Sequence, residues 1–191
     1  MEFLGDSFQG YLTCDGYQAY HGLPECIIVT GCMAHARRRF DEALTTLKKD
    51  FTKEQLKETT AYQAMSRIGM LYKIEEMIHD RPPEEKYIER QKQSKPLLDA
   101  LFEWLHSLEN AVDRSSKIGE AVLYSINQEP YLRRYLEDGH LNIDNSAAER
   151  AIKNFTVSPQ LAVFQKYKGS RSQCDSIQHN RDCTAEWTET V

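Results

Sequence analysis

From about Lys53 to Glu137 the chain carries apolar residues at helical spacing and no convincing strand, so whatever fold it adopts must accommodate a long, uninterrupted helical block. Tyr62, Met65, Ile68, Tyr72 and Ile78 form one apolar stripe, which stops before Pro82-Pro83. Leu98, Leu101, Phe102, Leu105, Leu108 and Val112 form a second, and Ile118, Val122 and Ile126 a third. Pro130 is expected to open a further short helix containing Tyr131, Leu132, Tyr135 and Leu136. Such stripes are most economically the core-facing seams of a small antiparallel bundle, and not a cofactor-binding box.

Two strand-like runs precede this block. Gln9-Gly10-Tyr11-Leu12-Thr13-Cys14 is β-prone, and Asp15-Gly16 follows it as a turn signal. Cys26-Ile27-Ile28-Val29-Thr30 is an apolar run of the kind found in buried strands, and Gly31 is expected to end it. A helix follows from about Met33, with Ala36, Phe40, Ala43, Leu44 and Leu47 on one face and Arg37, Arg38 and Arg39 among the outward, solvated positions. After the block, Gly139 leads to His140-Leu141-Asn142-Ile143, and Asp144-Asn145-Ser146 is a helix-start signal in which Asp144 or Asn145 can cap exposed amides. Glu149 then falls in the first or second turn, near the positive end of the helix dipole.

Composition sets the outer bounds. A chain of 191 residues, 40% hydrophobic and 28% charged, suits one globular domain, or one domain with an insertion, and is long enough to bury a core. No apolar run is long enough to cross a bilayer, and MEFLGDSFQGYL lacks the layout of a secretion signal. Five cysteines at irregular spacing suggest no disulfide framework and fit a reducing cytoplasm. A net charge of -5 excludes nucleic-acid binding through the whole surface, so any DNA contact needs local basic patches. Ser158 to Val191 has no sustained period; it holds Cys174, His179, Cys183 and Trp187 without an apolar face and reads as a disordered tail.

Four segments in order, spanning Phe3 to Val157, resemble one protein family. They are FLGDSFQGYLTCDGYQAY, VTGCMAHARRRFDEAL, SKPLLDALFEWL and YLRRYLEDGHLNIDNSAAERAIKNF. Together they resemble the catalytic domain of DDE-type transposases of the insertion-sequence 66 family, with Met33 where that family usually has Trp. The resemblance implies an α/β fold, an incomplete RNase H-like core with a large helical insertion. It divides the chain into a core segment at 1–48, the insertion at 49–138, a catalytic Glu helix at 139–157 and a tail at 158–191.

The resemblance also implies roles. Asp15 would be the second catalytic acid, at a strand end, and Glu149 the third, both acting as metal ligands. The family's first catalytic Asp lies upstream of the FLGD segment, which leads us to expect a chain inactive by itself. Cys32 and His35 match a Cys-x-x-His signature and would brace the site. Strand cleavage and joining at phosphorus need an activated nucleophile and a stabilised leaving oxygen, which two Mg²⁺ ions about 3.5–4 Å apart provide. Carboxylates suit such a hard cation. Arg150 and Lys153 would meet DNA phosphates and set register without reading bases. The implied partners are transposon-end DNA, with further copies of the chain or an intact transposase.

Taken singly, these residues have plainer readings. Asp15-Gly16 is an ordinary turn, and Glu149 an exposed helix residue. Cys32 and His35 could be half of a zinc site completed by Cys14, His21 or Cys26, which would make the chain a small zinc-binding module, although the spacings match no common pattern. A non-enzymatic protein that binds an intact transposase is the other alternative. The tail departs from the family, which continues with an Arg-Asn-Trp-Leu-Phe strand and a long apolar helix. Gln173 to Val191 can be encoded so that the frame one base later reads SAILYSIIETAQRNGLKPY, and Ser158 to Ser172 so that it reads VRNWLFSKSIKGADH. Both peptides look like the family's missing segment, so the tail is expected to be out of frame from about Val157.

Overall fold

The computed structural model describes residues 9–16 and 22–146 and, for the backbone alone, 163–164. The architecture is mixed α/β, mostly helical, with a small sheet. β1 (Gly10–Cys14) and β2 (Ile27–Gly31) pair in parallel, from Gly10 opposite Ile27 to Cys14 opposite Gly31. Both runs bury nearly every side chain, as expected of strands covered on two faces. The Thr13 and Thr30 hydroxyls, buried on the same rung, satisfy each other at 2.8 Å. A two-residue β3 (Val163–Phe164) pairs antiparallel with β1, giving the order β2-β1-β3. These two residues of the 158–191 tail therefore have regular backbone; the rest of it lies outside the described residues. Gly31 is the last residue of β2 and not its terminator.

Helix α1 (Met33–Leu47) leaves the sheet directly and buries Met33, Ala36, Phe40, Ala43 and Leu44. α2 (Lys53–Glu58) opens on a capping box in which the Gln55 amide donates to Thr52 Oγ1 at 3.3 Å and the Thr52 amide to Gln55 Oε1 at 2.8 Å. α3 (Thr60–Met77) is capped by Thr59, α4 (Pro83–Glu89) starts with proline in its first turn, and α6 (Lys117–Leu132) is capped by Ser116. Between α4 and α5 (Lys95–Leu108) the helix widens into a π-helical segment, Arg90–Ser94, which turns Arg90 and Ser94 both inward. A 3₁₀ turn, Arg134–Leu136, follows α6.

Two sequence expectations need correction. The buried seam of α3 is Ala61, Ala64, Ile68, Leu71 and Ile74, continuing to Ile78; Tyr62 is 38% exposed and Tyr72 only half-buried. Large side chains drew the expected stripe, whereas α3 packs close to its neighbours through small alanines on the adjacent face. Pro130 lies inside the last turns of α6 and opens no new helix.

Sheet and helices share one apolar core. Tyr11 of β1, Phe40 of α1, Ile68 and Leu71 of α3, Leu98 to Leu105 of α5, Val122 of α6, and Tyr135, Leu141 and Ile143 beyond it belong to a single cluster. Arg90 is buried against this core, 2% exposed, with four of its five N–H donors used. Nε and Nη2 donate to the Glu75 carboxylate at 2.9 and 2.6 Å, and Nη1 donates to the carbonyls of Tyr135 and Asp138 at 3.0 and 2.9 Å. Gln91 adds a donation to the Leu136 carbonyl at 2.7 Å, so the π-helical segment grips the chain that returns to the sheet.

Candidate functional site

Parallel pairing puts the C-terminal ends of β1 and β2 side by side, the usual place for ligands in such sheets. Asp15 is the residue after β1, half-buried, and its backbone carbonyl accepts from Tyr124 Oη of α6 at 2.7 Å. Gly16 follows at φ +85°, and a Cβ there would stand 2.8 Å from the Gln128 side chain and 3.0 Å from Tyr124 Oη. The Asp-Gly pair thus turns sharply against α6, and only glycine fits the second position.

The residue after β2 is Cys32, which begins the Cys-x-x-His turn into α1. Its Sγ accepts the Asn145 backbone N–H at 3.3 Å, and the Met33 amide donates to the Ile143 carbonyl at 3.1 Å. The 141–146 segment is therefore docked on the end of β2. Burial pushes the Cys32 thiol up to about 11, against the opposing pull of the Asn145, His35 and Ala34 amides. Buried and holding an amide, it stays protonated across the ordinary pH range. Cys14 is raised by burial as well. Among the described residues no group of three or more His, Cys, Asp or Glu could hold a metal ion.

Asp144 does more than cap. Oδ1 accepts the Ser146 amide at 2.9 Å, at the start of the last described helical turn, while Oδ2 accepts from Tyr72 Oη of α3 at 2.7 Å. Burial, then the bond to Asp144, raise the Tyr72 hydroxyl well above its ordinary value; burial likewise brings Tyr124 to about 12, with the charge of Arg39 opposing. Both phenols remain donors. The Arg37 guanidinium lies 5.6 Å from the centre of the Tyr72 ring and that of Arg39 4.1 Å from the Tyr124 ring. Two arginines expected to be merely solvated thus lie over the tyrosines that bond Asp144 and the Asp15 backbone. Sequence reading missed Tyr124 and took Tyr72 for a core residue. The available signal was chemical, since a phenol on a helix that is otherwise apolar seeks a partner for its hydroxyl.

Glu149, Arg150 and Lys153 lie outside the described residues, three to seven positions beyond Ser146 in the chain. Of the expected site residues only Asp15 is therefore located, beside the docked segment that leads to the other three.

The sheet thus has an acid at the C-terminal end of β1 and a segment docked at the same end of β2, and comparison with known proteins gives the family. The chain belongs to the Transposase IS66 family, whose model matches residues 1–170. That match continues past Val157, into the stretch expected to be out of frame. The chain is 34% identical over 137 residues to the uncharacterized protein y4hP of Sinorhizobium fredii, covering 70% of this chain and 25% of that protein. It is 28% identical over 172 residues to the uncharacterized protein y4qI of the same organism, covering 85% of this chain and 30% of the relative. The chain thus spans between a quarter and a third of the curated relatives it matches. No solved structure matches it. Membership makes the chain a relative of transposases. No helix among the described residues is long and apolar enough to cross a membrane.

Proposed function

We propose that Asp15 and Glu149 are the second and third acids of a DDE site on an RNase H-like core, which cleaves and joins transposon-end DNA. One observation carries this reading. Cys14 lies opposite Gly31 across the two strands, and the Asn145 amide docks on the next residue, Cys32, so the strand end bearing Asp15 and the segment leading to Glu149 share one end of the sheet.

The donor chemistry fits a hard cation. Asp15 offers carboxylate oxygens from a half-buried position, whereas the neighbouring sulfur of Cys32 is buried, protonated and engaged with an amide. Asp15 and Glu149 would hold Mg²⁺, which would supply activation of the attacking oxygen and stabilisation of the leaving one. The chain's own contribution is rigidity. Tyr124 pins the backbone at Asp15, and the Cys32–Asn145 contact fixes the segment that precedes Glu149 in the chain, so neither region has to be ordered when substrate arrives. Arg150 and Lys153, close to Glu149 in the sequence, would bind phosphates and set the register of the DNA; with a net charge of -5, contacts must be local ones of this kind.

The test is Mn²⁺ titration of the full chain followed by NMR. Mn²⁺ should broaden the amides of Asp15–Gly16 and Asn145–Ser146 together, and either Asp15→Asn or Glu149→Gln should remove the effect. Broadening of only one pair, or broadening indifferent to both substitutions, refutes the shared site.

A further inference from the structure

We infer that Tyr72, in the helical insertion, is a positioning residue for the third acid: its hydroxyl holds Asp144, and Asp144 fixes where the helix leading to Glu149 begins. The inference rests on the proposed role of Glu149 and adds the group that sets that residue's register.

A carboxylate has two oxygens, and at Asp144 each has a separate task. Oδ1 takes the Ser146 amide at 2.9 Å and Oδ2 the Tyr72 hydroxyl at 2.7 Å. The first bond stops the helix from starting earlier or later; the second prevents the capping carboxylate from rotating away. Tyr72 can do this because it is itself held. It lies in α3, whose Ile68 and Leu71 are in the shared core, and the Arg37 guanidinium lies over its ring at 5.6 Å. The path from helical core to helix start is thus Leu71, Tyr72, Asp144, Ser146, the first link a peptide bond and the other two hydrogen bonds. Tyr72 touches no reacting atom; it acts through Asp144. The Cys32–Asn145 contact holds the same segment from the sheet side, so helical insertion and sheet each set one coordinate of the helix start.

The experiment compares the full chain with Tyr72→Phe, Asp144→Ala and the double variant, reading amide exchange by NMR and Mn²⁺ affinity by titration. Removing the hydroxyl should speed exchange at Ser146 about fivefold, the equivalent of one ordinary hydrogen bond, while amides of Ile68 and Leu101 in the core keep their protection. Mn²⁺ affinity should fall about tenfold, as when an outer group orienting a metal ligand is lost. The double variant should be no worse than Asp144→Ala, because both substitutions break one chain of contacts. If Tyr72→Phe fails to fold, Asp144→Ser gives the same reading, since serine can cap Ser146 but is too short to meet Tyr72 as well. Unchanged Ser146 exchange and Mn²⁺ affinity in Tyr72→Phe, with Glu149→Gln still abolishing Mn²⁺ binding, overturns the inference. If Glu149→Gln leaves Mn²⁺ binding intact, it is the active-site reading that fails, and Ser146 exchange decides the Tyr72 role alone.

Discussion

Cys32 sits at the join of β2, α1 and the 141–146 segment, and its sulfur is 2% exposed. Burial raises its thiol from an ordinary 9.0 to about 11 in the folded chain. Between these values the folded state holds a proton that the unfolded state has released, so rising pH favours unfolding. We expect stability to be level below about pH 8.5 and to drop by on the order of 2 kcal/mol by about pH 11. The raised phenols of Tyr72 and Tyr124 should steepen the loss from the upper part of that range. Urea unfolding at a series of pH values measures this, and Cys32→Ala should flatten the slope nearest pH 9–10. A slope unaffected by that substitution would mean the sulfur is not a buried thiol. The role of such residues was only partly legible beforehand. Cys32 and His35 are marked by their spacing, and Asp144 by its place before a helix, because these are local signals. The partnership of Tyr72 with Asp144 is not local, and no spacing along the chain announces a hydrogen bond between residues so far apart.

At the scale of elements, the Glu75–Arg90 pair joins α3 to the π-helical segment. Its four donations tie α3 and the segment to the carbonyls of Tyr135 and Asp138, just before the chain returns to the sheet. Arg90→Ala should cost about 3–5 kcal/mol, because it strands a mostly buried carboxylate and two carbonyls. Glu75→Gln with Arg90→Met should cost clearly less, and equilibrium denaturation of the two variants checks the difference. Equal losses would mean that packing, and not the ion pair, carries the cost. Element positions were legible where the pattern is local: β1, β2 and α1 run close to the bounds that a β-prone run, an apolar run and helical spacing suggest. The seam of α3 was not, since alanines at Ala61 and Ala64 carry little hydrophobic signal but permit close helix packing. Pro130 misled for a related reason. A proline in the last turns of a helix loses one backbone bond, and the buried positions on either side, Gln128 and Leu132, hold α6 in place regardless.

For the whole molecule, the sheet and the helical insertion unfold together or not at all, since one apolar cluster contains residues of β1, α1, α3, α5 and α6. Denaturation followed by far-ultraviolet circular dichroism and by fluorescence of Trp104, which packs against that cluster, should give coincident transitions. Separate transitions would make the helices an independent domain. The wide turn at Arg90–Ser94 bears on this unity in another way. α4, the π-helical segment and α5 form one rod from Pro83 to Leu108, and each residue of such a rod turns the remainder by about 100°. The extra residue in the wide turn therefore sets the angular phase of everything after it, including the inward line of Leu98, Leu101, Phe102 and Leu105. Substitutions on α5 alter one tooth of the gear, whereas deleting a single residue between Arg90 and Ser94 would swing the whole line away from the core and bring polar teeth into its place.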